Sequence, residues 1–279
     1  MGLLADMNRS SHQRIWEAKE RVPEAALRAA ILSTPPPPRL KLAKPGFDLI
    51  AELKLRSPSL GELSATTVDP VKRLEAYAEG GAAICSILTE PTRFDGDLEH
   101  LRLAADTLVP YGVPAMRKDF IVDPYQVLEA RVHGASGVLL IVRMVPRERL
   151  VAMLDCAAEQ GLFVLLEAFD AADLKIANEL ALERAGRDEQ VLMGLNCRDL
   201  ETLQINFKRF AELRGQMPRD WPCVAESGVS KPADAERVAS LGYRLALIGT
   251  MLMQRADPER AVRELLEAGR KALPYGRKP

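Results

Sequence analysis

The chain has no excess of either charge: 38 Lys and Arg stand against 39 Asp and Glu in 279 residues, a net charge of −1. Non-specific nucleic-acid binding needs surplus cations and an amphipathic membrane anchor needs a basic face, so neither nucleic acid nor membrane is an expected partner. Long apolar runs are missing too. The longest strongly apolar stretch, Val138 to Val142, is far below the roughly 20 residues that cross a bilayer. Asp6 and Arg9 interrupt the start before a secretory signal can develop. The four cysteines, Cys85, Cys156, Cys197 and Cys223, have no CxxC spacing, which fits reduced thiols in a cytoplasm. Of three histidines, His12 lies in the N-terminal segment and His100 and His133 on helical patterns, so no metal triad is expected. No GxGxxG follows the first strand pattern, so neither a flavin nor a nicotinamide cofactor is expected.

What remains has the proportions of a globular protein, with 47% hydrophobic and 28% charged residues. Residues 1–45 read as a helical extension. Ser10 and Ser11 are candidate caps for a helix carrying Ile15 and Trp16, and Pro23 suits the first turn of a second helix with Leu27 and Ile31. The run Pro35 to Pro38 then stops any helix and forms a stiff spacer that lays the extension against the body of the protein.

From residue 47 a rhythm begins. Short β-rich runs fall at about 48–54, 83–88, 113–117, 138–142, 162–167, 191–196, 222–226 and 244–248, with helical patterns between them. Asp69-Pro70, Asp123-Pro124 and Asp257-Pro258 each place a cap before a first-turn proline, and Gly80, Gly134, Gly161, Gly242 and Gly269 are expected C-terminal stops. After Pro146, the apolar Leu150, Met153, Leu154 and Ala157 recur at helical spacing. Eight strands apolar on both faces, alternating with helices, predict one (β/α)8 barrel, the TIM-barrel architecture, over residues 46–279.

In such a barrel the chemistry sits at the C-terminal strand ends. Those positions hold Glu52 and Lys54, Ser86, Lys118, Arg143, Glu167, Asn196 with Arg198, Glu226 with Ser227, and Gly249 with Thr250. Glu52 and Lys54 are two apart and share a face; alone they could be no more than an ion pair closing the barrel end. With Lys118 and Glu167 added, two lysines and two glutamates converge on one cavity, a set suited to proton transfer at a carbonyl. Gly228 and Gly249 follow the last two strands, where bare backbone N–H groups can hold a phosphate, so a small phosphorylated substrate is expected. A branched side chain at Gly228 is expected to exclude that anion with little change in stability if the local backbone tolerates it. Phe94 and Phe120 follow strands two and three, and either wall a pocket for an aromatic ring or belong to the core. Cys197 at a strand end has no histidine beside it and is a poor candidate for a catalytic thiolate.

Several motifs in order resemble the indole-3-glycerol-phosphate synthase family: Glu52 to Gly61 (ELKLRSPSLG), Ser86 to Thr89 (SILT), Arg117 to Phe120 (RKDF) with Asp123 to Gln126 (DPYQ), Gly194 to Leu200 (GLNCRDL), and Glu226-Ser227-Gly228. The resemblance runs from about residue 47 to 265 and includes the helical extension. It implies cofactor-free conversion of 1-(2-carboxyphenylamino)-1-deoxyribulose 5-phosphate to indole-3-glycerol phosphate in tryptophan biosynthesis, with loss of CO2 and water. By resemblance Lys118 is the general acid at the substrate carbonyl, Glu167 the acid/base of the dehydration, and Glu52 the group that tunes Lys118. Lys54 either meets the substrate's anionic groups or supplies a second proton. Asn196, Arg198, Glu226 and Ser227 would place the carboxylate and hydroxyls, and Ser57, Gly228, Gly249 and Thr250 the phosphate.

The family pattern is broken at Phe169, Cys197, Asp97 and Met251, and the stretch Glu183 to Gln190 is longer than usual on the rim away from the mouth. The changes leave room for a duplicate copy serving a specialised indole pathway. A phosphoribosyl isomerase on the same fold, or a silent scaffold paralogue, are the other readings. The first conflicts with Glu52 and Lys54 in place of an Asp-based acid/base pair, the second with the retention of Lys118, Glu167 and Glu52. The expected active unit is a cytoplasmic monomer or weak homodimer.

Overall fold

The computed structural model describes residues 2–44, 46–54, 69–200 and 202–272, and the backbone alone of 56–57 and 61–62. Eight strands form the inner wall: β1 (Asp48–Leu53), β2 (Ile84–Leu88), β3 (Ala115–Lys118), β4 (Gly137–Ile141), β5 (Phe163–Ala168), β6 (Val191–Asn196), β7 (Cys223–Glu226) and β8 (Leu245–Ile248). All are parallel, each pairs with its neighbours in sequence, and β8 closes on β1 with Ala51 opposite Ile248. A two-stranded ribbon, Arg56–Ser57 against Gly61–Glu62, follows β1.

Elementary chemistry accounts for the alternation. The strands are buried on both faces because side chains fill the barrel on one side and helices cover the other. Asp69, Asp123 and Asp257 each accept a hydrogen bond from a first-turn N–H ahead of a proline. Such caps are worth about 1 kcal/mol apiece and fix where each helix starts. The helix Arg147–Glu159 buries Leu150, Met153, Leu154 and Ala157, the face its periodicity predicts.

Three expectations need correction. Ser10 and Ser11 do not cap a helix; α1 (Leu3–Arg21) already runs through them. Its inner face, Met7, Ser11 and Ile15, is buried against the barrel, and this packing carries the helix upstream of the serines. Pro23 lies just before α2 (Glu24–Leu32) rather than within its first turn. Gly269 lies inside the helix Pro258–Lys271, where a Cβ would meet the Phe47 ring at 2.1 Å; close packing requires the glycine, not a stop. Gly134, Gly161 and Gly242 do take left-handed conformations after their helices, and Gly81 takes that role beside Gly80.

The extension runs the height of the barrel. At the mouth, Asn8 Nδ2 donates to Met144 O at 2.8 Å and Ser11 Oγ to Phe120 O at 2.6 Å. α2 then packs along the helix Pro124–Val132. At the far rim Arg131 donates to Thr34 O and Pro35 O, and Gln190 exchanges two hydrogen bonds with the Leu40 backbone. Asp188 pairs there with Arg39, so the long stretch 183–190 grips the spacer away from the mouth. Among the described residues no helix is long and apolar enough to cross a membrane.

Candidate active site

The C-terminal strand ends surround a cavity of about 570 Å³. Glu52 and Lys54 reach it from β1, Lys118 from β3, Glu167 from β5, Asn196 and Arg198 from the end of β6, and Glu226 and Ser227 from β7. Gly228, Gly249 and Thr250 line the side between β7 and β8, with Phe94 and Phe120 on the wall after β2 and β3. Ser57 lies outside the residues whose side chains are described.

Strand alternation explains the convergence. Glu52 points inward two residues before Lys54, and Lys54 Nζ meets Glu52 Oε1 at 2.9 Å. Gly249 passes so close that a Cβ there would lie 2.2 Å from Glu52 Oε1 and 3.1 Å from Lys54 Nζ. Asn196 Nδ2 donates to Glu167 Oε1 at 2.6 Å, and Asn196 Oδ1 accepts from the Arg198 N–H at 2.9 Å. That turn sets the depth of Arg198, whose guanidinium donates to Leu203 O at 2.9 Å.

The electrostatics follow from this packing. Burial opposes the Lys118 ammonium, but Glu167, Glu52 and Glu226 surround it and raise its pKa above the ordinary lysine value. Burial also works against the Glu52 carboxylate; Lys54, Lys118 and Arg198 outweigh it and pull the pKa below the usual range. Glu226 behaves oppositely. Burial and the neighbouring Glu167 charge raise it well above the ordinary carboxylate range, with Lys118 only partly offsetting them. The Glu167 carboxyl also lies within hydrogen-bonding reach of it, which favours the protonated form of Glu226. Glu226 Oε1 and Ser86 Oγ are buried with no hydrogen-bond partner among the described residues. Ser86 stands opposite Glu52 across the β1–β2 pairing. The site therefore holds a proton donor kept charged and carboxyl groups split between charged and protonated forms, a division suited to acid/base work.

Phe94 and Phe120 are tilted against each other with centroids 6.3 Å apart, making a flat apolar wall. Gly228 has φ +84°, and a Cβ there would meet Ile205, Cys197 and Phe207 at 3.0–3.2 Å. A branched side chain would strain the fold, so the expected tolerance at Gly228 does not hold. The Cys197 thiol donates to Ser227 O at 3.2 Å, and burial pushes its pKa up to about 12, which leaves no thiolate to react. Arg143 stays out of the cavity lining, bound to Asp170 and Asp173 with Phe169 beneath it. Asp97 caps the helix Leu98–Leu108. Among the described residues no group of three His, Cys, Asp or Glu is placed to hold a metal ion.

Sequence reasoning missed several lining residues. Leu139 and Ile141 alternate inward along β4 and could have been found by their period of two. Leu3 comes from α1, and no local signal in the sequence ties it to the mouth. Leu200, Leu203 and Ile205 come from a loop closed by an Arg198–Ile205 bridge.

A model of the family described as indole-3-glycerol phosphate synthase matches residues 4–265. The indole-3-glycerol phosphate synthase of a Nocardioides species is 40% identical over 270 residues, covering 95% of this chain and 98% of its own. That of Mycobacterium leprae is 39% identical over 245 residues, 87% of this chain and 86% of its own. Among solved structures, 3-hexulose-6-phosphate synthase from Salmonella typhimurium superposes with a TM-score of 0.63 at 14% identity, over 81% of this chain and all of that one. Thiamine phosphate pyrophosphorylase from Pyrococcus furiosus gives 0.57 at 15% identity, over 81% and 97%. At such identities the structural likeness speaks for the barrel alone.

Proposed function

The chain belongs to the indole-3-glycerol phosphate synthase family, and on that premise we propose that its site closes an indole ring by the decarboxylating route, as a carboxy-lyase. The observation that carries the reading is Lys118 held among Glu52, Glu167 and Glu226 in a cavity with an apolar aromatic wall on one side and bare glycines on another.

In this reading the substrate is 1-(2-carboxyphenylamino)-1-deoxyribulose 5-phosphate. Its phosphate meets the backbone at Gly228, Gly249 and Thr250, with Ser57 from the segment after β1, and its ring lies toward Phe94 and Phe120. The ring carbon bearing the carboxylate attacks the ketone carbon, and Lys118 Nζ donates a proton to the developing alkoxide. Attack costs the ring its aromaticity, and a nearby carboxylate offsets the positive charge that builds on the ring nitrogen. Departure of CO2 returns the electron pair to the ring. Glu167 then removes a proton as the new hydroxyl leaves as water, with a lysine supplying the proton it departs with. Glu52 keeps Lys118 charged, and Lys54 either assists that departure or meets an anionic group of the substrate. Asn196, Arg198, Glu226 and Ser227 hold the carboxylate and hydroxyls. Holding both ends of a flexible substrate makes ring attack effectively intramolecular, which can supply several kcal/mol of the barrier.

The working unit in this reading is a monomer or weak homodimer. Residues 1–45 serve as the extension and 46–279 as the catalytic barrel, and four unpaired cysteines suit a cytoplasmic setting. Incubation with the carboxyphenylamino-deoxyribulose phosphate should produce indole fluorescence and release CO2. Folded protein that yields neither would overturn the reading.

A further inference from the structure

The loop carrying Lys118 and Phe120 is gripped from behind by a carboxylate that the reaction scheme leaves unused. Lys118 points into the cavity, so strand alternation turns its neighbour Arg117 to the other side of the wall, where it meets the carboxylate of Asp119 just past the strand end. Both are buried. Asp119 accepts hydrogen bonds from Arg117 Nη2 at 3.0 Å, Thr89 Oγ1 at 2.9 Å and the Phe120 N–H at 2.8 Å. It is further bound in bidentate fashion by Arg14 of α1, through Nη1 at 3.0 Å and Nη2 at 2.8 Å. Arg14 Nη2 also donates to Ser11 Oγ at 2.9 Å, and that hydroxyl donates to Phe120 O.

Arg117 alone would neutralise Asp119, and its other nitrogens are taken by Thr89 Oγ1, Gln126 O and Glu129. A second guanidinium from a helix over a hundred positions upstream adds a directional constraint: a planar fork fixes the plane of the carboxylate as well as its charge. The peptide between Lys118 and Phe120 is thereby held from both sides.

We propose that Arg14, acting through Asp119, is a positioning residue that sets where Lys118 and Phe120 meet the substrate. This rests on the reading of Lys118 as the proton donor. The alternative is a clamp that only stabilises the fold.

The pH profile separates the two. Lys118 is faced by Glu52, Glu167 and Glu226, with Lys54 and Arg198 nearby. If Arg14→Met lets Lys118 drift from those carboxylates, its pKa falls and the alkaline limb of kcat moves to lower pH. Simple loss of the Arg14 charge would move it the opposite way, because removing a cation makes another cation easier to keep.

For the folded Arg14→Met variant of the full chain we expect a kcat loss of about 10- to 100-fold, the scale of an ångström misplacement. KM should change little, and Arg14→Lys should recover part of the loss. Arg14→Gln, which keeps one donor, serves in its place if the Met variant does not fold. Unchanged kcat with an unmoved limb, or a limb moved upward, overturns the proposal. Lys118→Met run alongside keeps the two readings apart. An inactive Lys118→Met with a normal Arg14→Met defeats the positioning role alone, whereas an active Lys118→Met defeats the acid assignment and the positioning role with it.

Discussion

The two rims of the barrel bury charge in different ways. At the rim where the strands begin, Arg184 is 3% exposed and bonds Asp155 at 2.9 Å and both oxygens of Glu189 at 2.8 Å. Asp48 accepts from the Ala43 N–H at 2.8 Å and pairs with Arg270 at 3.3 Å. Each charge has a specific partner and faces no large cavity. At the mouth, Glu52, Lys118, Glu167 and Glu226 share one open space, three carboxyls surround one ammonium, and Glu226 Oε1 has no hydrogen-bond partner among the described residues. Burial alone does not mark a site. Charges that converge on space and remain incompletely partnered do, because their interaction energy is still available to a substrate.

The strongest way to break this comparison is Lys118→Ala. Loss of a general acid costs about 10²–10⁴-fold, and more when it also stabilises charge, so kcat followed by indole fluorescence should collapse while circular dichroism stays native. Near-normal turnover in the folded variant would place the acid elsewhere. Gly249→Ala is next. Its methyl group would press on the Glu52 carboxylate, displacing the Glu52–Lys54 pair, and kcat/KM should fall on the order of tenfold. An unchanged kcat/KM would mean the mouth is looser than its packing implies.

Glu52→Gln tests the electrostatics. It removes a carboxylate that raises the Lys118 pKa, so the alkaline limb of kcat should move to lower pH. A limb that stays put would mean Glu52 does not act on the proton donor. The smallest effect on catalysis is expected at the opposite rim. Arg184→Met should leave kcat within twofold yet lower stability by about 1–2 kcal/mol, seen as a drop in melting temperature of a few degrees. A large activity loss without a stability change would erase the distinction between the rims.

Legibility in the sequence differed by kind of feature. All eight strands lie within two residues of their expected bounds, because a strand buried on both faces leaves an uninterrupted apolar run. The three Asp-Pro starts were legible because a cap and a first-turn proline act within four residues. Ser10 and Ser11 misled because packing of Met7 and Ile15 on the barrel outweighs their weak preference for a helix start. Gly269 misled because its reason is Phe47, more than two hundred positions away. Glu52, Lys118 and Glu167 could be named as a group once eight strands were counted, since barrel topology places strand ends together. Arg14 and Leu3 could not.

The sequence by itself determined the barrel, the polar groups at its mouth and the family, since local periodicity, caps and short motifs record constraints acting within a few residues. Only the tertiary structure decided that the Glu167 charge raises the pKa of buried Glu226, that Gly249 must be bare beside Glu52, and that Asp119 is held by a helix of the N-terminal extension. Those relations depend on distances between segments far apart in the chain, and a pKa or a close approach exists only after the solvent between them has been excluded.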